Sequence, residues 1–195
     1  MRFRIELDRS KPVIWREIDV PSFYSFWDLH VAIQDAMGWT DSHLHAFNVR
    51  DPETGQTVEI GIPDEEGFED DVPAIAGWTV PILSYLSSPG QSASYLYDFG
   101  DSWNHRILLK EIALQEKGVD FPRCVGGERA CPPEDVGGIH GYAEFLRVIN
   151  DPTHEEHEGT LVWVGGRFDS EHFDPGGVVF DDPEMRWLLA FDGEE

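Results

Sequence analysis

Residues 94 to 112 read Ser94-Tyr-Leu-Tyr-Asp-Phe-Gly-Asp-Ser-Trp-Asn-His-Arg-Ile-Leu-Leu-Lys-Glu-Ile112, with a turn between two runs of strand-forming residues. Aromatic and aliphatic residues alternate with polar ones along both runs, which predicts a β-hairpin. The alternating apolar residues share one face if a short loop, Gly100 to Ser102, connects the strands. These residues are Tyr95, Tyr97, Phe99, Trp103, Ile107 and Leu109.

Two cross-strand pairs follow from that loop. Phe99 would lie directly opposite Trp103. Tyr97 would lie opposite His105, and the turn conformations would come from the residues around Gly100. The resulting ladder of rings is expected to anchor the core.

The sequence before the hairpin predicts most of a sheet and one helix. Alternation of apolar and polar residues predicts strands at residues 2–8, 13–20, 43–49 and 58–62. Between the second and third strands, Ser25 and Asp28 match a helix-capping box, and Gly38 can end the helix. An acidic loop at residues 63–71 and a short strand or helical turn at residues 80–86 lead to the hairpin.

The composition changes after the hairpin. Residues 118–138 are rich in Gly and Pro with little periodicity, which predicts an ordered but irregular loop. Helical spacing resumes at residues 141–150, 155–163 and 183–191. In the last of these helices we expect Met185, Leu188 and Leu189 to point inward.

These elements predict an α+β fold in a single domain over residues 1–195. Residues 1–116 would form a sheet-and-helix core, and residues 117–195 a loop-and-helix extension packed on it. The opening order of hairpin, helix and strand is similar to a ubiquitin-type β-grasp, which is an analogy at the level of the fold only. A mixed, β-grasp-like sheet is therefore the predicted architecture.

The charge balance is unusual, because 38 acidic and 14 basic residues give a formal net charge of −24. A field of that sign repels phosphate backbones, and the basic residues are scattered, so direct nucleic-acid binding is disfavoured. The acidity fits either a host with high internal salt or a cationic partner such as a metal ion. The N-terminus lacks the apolar block of a signal peptide and no stretch reaches membrane-spanning length, so we expect a cytoplasmic protein with no membrane partner.

The candidate catalytic residues are Asp98, Asp101 and His105, at or near the hairpin tip. Two carboxylates and an imidazole could bind a divalent cation there, or act as an acid–base group. The alternative is structural: Asp101 caps the turn and Asp98 pairs with Arg106. His105 would then fill a slot beside Tyr97.

A second candidate site lies in the irregular loop. The spacing of Cys124 and Cys131 matches neither a CxxC knuckle nor a redox pair, and two cysteines do not make a disulfide framework. Glu134, Asp135 and His140 could complete a site for zinc or a similar divalent metal. The alternative is a structural loop in which both cysteines are small buried hydrophobes.

Three further histidines favour structural roles. His43 and His45 have the spacing of two metal ligands on one face of a strand. Phe47 and Val49 continue that face, however, which favours the polar edge of a packed surface. His30, beside the apolar stripe of the helix, is expected to be a partly buried packing residue.

Several motifs together resemble one family. They are Val13-Ile-Trp-Arg-Glu-Ile18, Ala36-Met-Gly-Trp39, His43-Leu-His-Ala-Phe47, Tyr97-Asp-Phe-Gly-Asp-Ser-Trp-Asn-His105, Ala130-Cys-Pro-Pro-Glu-Asp-Val-Gly-Gly138 and Gly141-Tyr142. In this order, over nearly the whole chain, they resemble the plasmid pRi ORF-three-like family. The resemblance implies an α+β domain and supplies no catalytic residues, because the family is essentially uncharacterised.

The sequence leaves three hypotheses for function. It contains no Gly-rich phosphate loop, GxSxG elbow, Walker motif or HExxH. We therefore favour a binding or adaptor module for an unknown protein or small-molecule ligand, with residues 124–138 and the turn at Gly100 and Asp101 as its contact surface. The alternatives are a metal-dependent, hydrolase-like enzyme at the hairpin tip or the cysteine loop, and a nucleic-acid factor of a plasmid or mobile element.

Overall fold

Eight strands form one sheet in a computed structural model that describes residues 1–63, 73–114 and 118–191. The strands are β1 (Arg2–Leu7), β2 (Trp15–Asp19), β3 (His45–Arg50), β4 (Thr57–Gly61), β5 (Ile75–Ala76), β6 (Ser92–Tyr97), β7 (Trp103–Glu111) and β8 (Arg123–Glu128). Their order is β5-β4-β3-β6-β7-β1-β2-β8, with β4 and β5 parallel and the other neighbours antiparallel. The α+β class, the mixed sheet and the single domain are confirmed, whereas the β-grasp likeness stays a prediction.

The helix α1 (Phe26–Met37) packs on the sheet and closes the core. The Asp28 backbone N–H donates to the Ser25 hydroxyl over 3.2 Å, and the Asp28 carboxylate accepts from the Ser25 N–H over 2.8 Å. The predicted capping box is therefore confirmed. Gly38 ends the helix with a φ of 90°, a left-handed conformation that glycine adopts without steric cost.

The strands β6 and β7 form the predicted hairpin, but its loop is longer than predicted. Tyr97 lies opposite Trp103 rather than His105, so residues 98–102 make the connection. Phe99, which was expected to face Trp103, lies in this loop and is 52% exposed. The shorter loop and both predicted cross-strand pairs are therefore wrong.

The error has a geometric cause, since alternation fixes the face of a residue but not its register. Shifting the pairing by two residues along one strand leaves the same residues on the core face. The turn sets the register: the Asp98 N–H donates to Leu44 O over 2.9 Å, and the Ser102 N–H donates to Asp98 O over 2.7 Å. The other five predicted core residues are buried: Tyr95, Tyr97, Trp103, Ile107 and Leu109.

Residues 118–138 contain a strand that periodicity did not predict. The strand β8 runs antiparallel to β2 at the edge of the sheet, with Trp15 opposite Glu128. Its sequence RCVGGE does not alternate, because backbone hydrogen bonds rather than a buried face hold this strand to the edge. The prediction of an irregular loop is wrong for residues 123–128.

Three helices follow, close to the predicted ranges: α2 (Gly138–Ile149), α3 (His157–Trp163) and α4 (Pro183–Phe191). The inward face of α4 differs from the prediction, because Met185 and Leu189 are 55% and 76% exposed. Trp187 and Phe191 pack against neighbouring aromatic rings instead, and Leu188 is half-buried. Aromatic rings bury more apolar area than Met or Leu, which explains this orientation.

Three further expectations can be placed on the described residues. Residues 80–86 contain a 3₁₀ turn, Ile82–Ser84. The acidic loop expected at residues 63–71 lies outside the described residues except for its first, and so does the expected boundary between core and extension at residues 116 and 117. Within the described ranges, no helix combines the length and hydrophobicity that a bilayer crossing needs.

Candidate functional site

The structure separates His105 from the two aspartates of the hairpin tip. His105 is fully buried on the core face, where its ring centroid lies 5.4 Å from those of Trp39 and Tyr95. Burial lowers the pKa of His105 to about 4, which keeps the imidazole neutral near neutral pH. A site formed jointly by Asp98, Asp101 and His105 is therefore not assembled.

Asp98 and Asp101 hold the tip in place. Asp98 Oδ1 accepts from the backbone N–H groups of the two residues after Phe99, so Asp98 has the capping role expected of Asp101. Asp101 Oδ2 accepts from the Gly137 N–H over 3.0 Å. At Gly138 a Cβ would lie 2.4 Å from the Asp101 carbonyl oxygen, so this close approach requires glycine. The tip is thereby docked on the loop before α2.

The cysteine loop does not assemble the predicted metal site among the described residues. The Cys124 thiol lies on β8 and donates to Gly126 O over 3.4 Å. Burial raises the pKa of both Cys124 and Cys131, which disfavours the thiolate that a metal binds. His140 is exposed on α2. None of these three candidates belongs to a group of converging ligand atoms in residues 1–63, 73–114 and 118–191.

Three other side chains do converge, and we call His43, Asp98 and Asp135 the tip cluster. Each offers a ligand atom, and these atoms lie within 4.8 Å of one another. His43 Nε2 is 3.1 Å from Asp135 Oδ1 and 3.7 Å from Asp98 Oδ2. The side chains of His43, Asp98 and Asp135 are 31%, 10% and 72% exposed, so the cluster opens to solvent over a nearly buried Asp98. One imidazole and two carboxylates suit zinc, manganese or iron.

Glu134 joins the segments that carry the cluster. Its carboxylate accepts from the Tyr97 hydroxyl over 2.5 Å and from the Thr40 N–H over 3.2 Å. The Ser42 N–H in turn donates to the Tyr97 hydroxyl over 3.0 Å. Burial and the Glu134 carboxylate raise the pKa of Tyr97, so this phenol remains a donor. The segment before β3, the hairpin and the loop before α2 are thus held together beneath one surface.

The backbone around the cluster is left-handed at several non-glycine residues. Asp98 and Asp135 have φ values of 56° and 59°, and their neighbours Asp41 and Ser102 have φ values of 60° and 56°. Such conformations are uncommon outside glycine and concentrate at functional sites, although Asp tolerates them better than most residues. Two of the three cluster residues are therefore held by the surrounding structure in conformations that the chain alone disfavours.

A second histidine group is closed to solvent. His30 and His45 stack with their ring centroids 3.4 Å apart and an interplanar angle of 9°. The two ring nitrogens of His30 are hydrogen-bonded to the Tyr95 hydroxyl and the Asp41 carboxylate, each over 2.8 Å. Burial, and then the nearby His30, lower the pKa of His45 well below its usual value. His30 is fully rather than partly buried, and His45 packs in the core while His43 serves the tip cluster.

Sequence reasoning named all three cluster residues but placed each with other partners. His43 was paired with His45, Asp98 with His105, and Asp135 with the cysteines. The sequence did carry one signal for these residues. Three of the motifs that resemble the plasmid family contain one residue of the tip cluster each. Nothing in their spacing indicated that these motifs meet.

Known proteins match the chain over most of its length. The model of the family described as plasmid pRiA4b ORF-3-like protein matches residues 1–176. The uncharacterized protein y4hQ of Sinorhizobium fredii (strain NBRC 101917 / NGR234) is 38% identical over 191 residues, which are 96% of this chain and 93% of that protein. The crystal structure of the protein of unknown function MM3350 from Methanosarcina mazei Go1 has a TM-score of 0.83 and 40% identity, covering 92% of this chain and 97% of that one. The predicted resemblance and fold class are confirmed.

Proposed function

This chain belongs to the plasmid pRiA4b ORF-3-like family, and we propose from the geometry of its site that it is a binding module. Its contact surface is the junction of the hairpin tip, the segment before β3 and the loop before α2. A divalent cation held by the tip cluster forms part of that surface. The proposed partner is a cytoplasmic protein or small molecule.

The observation that carries this proposal is the convergence of three ligand atoms from three distant segments within 4.8 Å. Asp98 Oδ1 caps the turn, whereas its Oδ2 faces His43 Nε2. Two carboxylates this close repel each other unless a positive charge lies between them. In a chain with a net charge of −24, the surrounding field also favours a cation at this point.

The exposure of the cluster suits a binding surface. Zinc takes about four ligands and manganese about six, so three protein ligands leave coordination positions open. Asp135 and His43 border solvent, and the open positions would face outward. A carboxylate or carbonyl group of a partner could complete the coordination, which would make partner binding depend on the cation.

A metal-dependent hydrolase is the second candidate, because an open position also admits a water molecule whose pKa the cation lowers. Glu134, next to Asp135 in the sequence, is a carboxylate that could assist such a water. It already accepts hydrogen bonds from Tyr97 and Thr40, which favours binding over catalysis. No specific observation favours a nucleic-acid factor, since several arginines are ion-paired: Arg2, Arg123, Arg129, Arg147 and Arg186.

Calorimetric titration of the purified protein with Mn²⁺ and Zn²⁺ tests the proposal. We expect one site per chain, and at least about tenfold weaker binding in His43→Ala and Asp135→Asn, the loss seen even for residues that only support a metal ligand. His140→Ala is the matched control, because it removes an exposed imidazole of the cysteine-loop candidate. Its affinity should equal that of the parent protein.

Two results would contradict the proposal. If neither Mn²⁺ nor Zn²⁺ binds with one ion per chain, the tip cluster is not a site for these cations. If only His140→Ala weakens binding, the site lies in the cysteine loop. Cation-dependent hydrolysis of p-nitrophenyl phosphate or p-nitrophenyl acetate that is lost in His43→Ala would favour the enzyme over the module.

A further inference from the structure

A groove lined by aromatic rings lies at the other end of α1 from the tip cluster. It has a volume of about 440 Å³ and runs between the start of α1, the 3₁₀ turn at residues 77–79 and the start of α4. We call it the aromatic groove and define it by its ring-bearing residues, Phe23, Trp27, Trp78, Pro81, Pro183 and Trp187. Phe23 is 81% exposed at its rim. An exposed phenyl ring beside other rings forms an apolar patch of the kind that marks interaction sites.

One ring contacts all three indoles of the groove. Phe191 of α4 lies between the three indoles, with ring centroids 5.6 Å from Trp27, 5.1 Å from Trp78 and 5.4 Å from Trp187. Trp78 and Trp187 meet edge to face at 6.0 Å. The Trp27 indole N–H donates to Pro183 O over 2.9 Å and fixes the start of α4. The aromatic faces are therefore pre-organised.

The charge of the groove is negative. Asp28 and Glu184 line it, and no lysine or arginine does. Asp28 uses one carboxylate oxygen in the capping box of α1, while the Glu184 side chain makes no hydrogen bond or ion pair with any described residue. Arg186, the basic residue of α4, is directed to Asp35 and other carboxylates away from the groove.

We propose that the aromatic groove binds a basic segment of a partner protein, with an arginine or lysine side chain over the indole faces and its charge near Glu184. A cation is attracted to the face of a tryptophan more strongly than to any other side-chain ring, and arginine also stacks on it. The carboxylates at the rim and the overall charge of −24 steer a basic segment toward the groove and repel an acidic one.

The N–H groups of Trp27 and Trp187 argue against a proline-rich ligand. Aromatic grooves for proline-rich segments bind a ligand already in an extended helix, and its carbonyl groups need donors. In this groove the Trp27 N–H is used by Pro183, and the Trp187 N–H is buried without a partner among the described residues. Trp27 is buried, so the groove offers the half-buried rings of Trp78 and Trp187 beside the exposed Glu184, an arrangement that favours a cation.

The test is a titration of the full chain, followed by tryptophan fluorescence, with a short peptide containing two arginines separated by glycine. The matched peptide replaces arginine with citrulline, which keeps the shape and removes the charge. We expect the arginine peptide to bind at least about threefold more tightly than the citrulline peptide, and Glu184→Gln and Trp78→Phe each to weaken it about threefold to tenfold. Glu158→Gln removes a charge from an exposed site on α3 and should leave binding unchanged.

Each other outcome overturns the proposal. Equal losses in Glu184→Gln and Glu158→Gln would mean attraction to the overall charge rather than to the groove. Equal binding of the citrulline peptide, or tighter binding of a proline-rich peptide, would assign the groove to a neutral segment. Sedimentation showing a dimer that Trp78→Phe dissociates would assign it to a second copy of the chain.

Discussion

Two groups in which histidine meets aspartate differ in their access to water. In the closed group, His30 of α1 stacks on His45 of β3 and is hydrogen-bonded to Tyr95 and Asp41. In the tip cluster, His43 faces two carboxylates at the surface. The residue types are similar, and burial decides which group is closed and which is open to solvent.

Burial also lowers the pKa of two imidazoles, His45 in the closed group and His105 on β7. The pKa of His45 is well below its usual value, and its Nδ1 has no hydrogen-bond partner among the described residues. The same holds for both ring nitrogens of His105. These imidazoles are neutral packing groups with an unmet hydrogen-bonding capacity, whereas His43 keeps a nitrogen directed at Asp98 and Asp135.

The largest effect on stability should come from removing a buried aromatic ring of the hairpin. Trp103→Ala is expected to reduce the free energy of unfolding by about 3–5 kcal/mol, because Trp103 is 1% exposed and its removal leaves a cavity. Phe99→Ala, in the same hairpin at 52% exposure, should change it by less than about 0.5 kcal/mol. Urea unfolding measures both, and similar values for the two variants would contradict the burial described for the hairpin.

The next largest effect should be acid destabilisation through the buried histidines His45 and His105. The folded-state pKa values of His45 and His105 lie below the unfolded value of about 6.5, so the unfolded chain binds more protons. Stability is therefore complete above about pH 6.5 and falls as the pH drops, for His105 down to about 4. This histidine alone should remove about 3 kcal/mol over that window, measurable by urea unfolding at a series of pH values.

Leucine at position 105 separates this contribution from the general effect of acid. His105→Leu should flatten the dependence of unfolding free energy on pH below about 6.5 by roughly one proton. His43→Leu, at the exposed tip cluster, is the matched control. An unchanged slope in His105→Leu would mean that His105 is not held neutral in the folded protein.

A smaller effect should separate the two aspartates of the tip cluster. Asp98→Ala removes the acceptor of two backbone N–H groups at a residue with a φ of 56°, so we expect a loss of about 1–2 kcal/mol. Asp135→Asn keeps a side chain that tolerates its left-handed backbone and removes one of two facing carboxylates. It should change the metal-free stability by less than about 0.5 kcal/mol. A large loss in Asp135→Asn would show that Asp135 is structural.

The fold could be predicted from the sequence wherever a residue buries a face or ends an element. Ser25 and Gly38 bounded α1 correctly because capping chemistry is local. The hairpin register was missed because Phe99 and Tyr97 lie on the same face of the strand, so alternation allows either to pair with Trp103. The backbone hydrogen bonds of Asp98 select Tyr97. The strand β8 was missed because an edge strand needs no buried side-chain pattern.

The candidate site was less predictable for a different reason. Its residues could be named as candidates from the sequence. Their proximity depends on the hydrogen bond between Asp101 and Gly137 and on the close approach of Gly138 to the turn. Such contacts join distant segments and leave no periodic signal. The burial of His105 could have been predicted, because it lies two residues after Trp103 and therefore on the same face of β7. The proposed catalytic role placed it at the tip instead.

Arg186 has a consequence for where the folding unit ends. The family match stops at residue 176, yet the Arg186 side chain, on the helix beyond it, pairs with the carboxylates of Asp35 and Asp41. The Asp41 carboxylate is also hydrogen-bonded to His30 Nε2. A chain shortened to the matched region would leave those two acids without their counterion and the Trp27 N–H without its acceptor. A shortened chain that is to retain the native interior of this protein should therefore extend through Phe191.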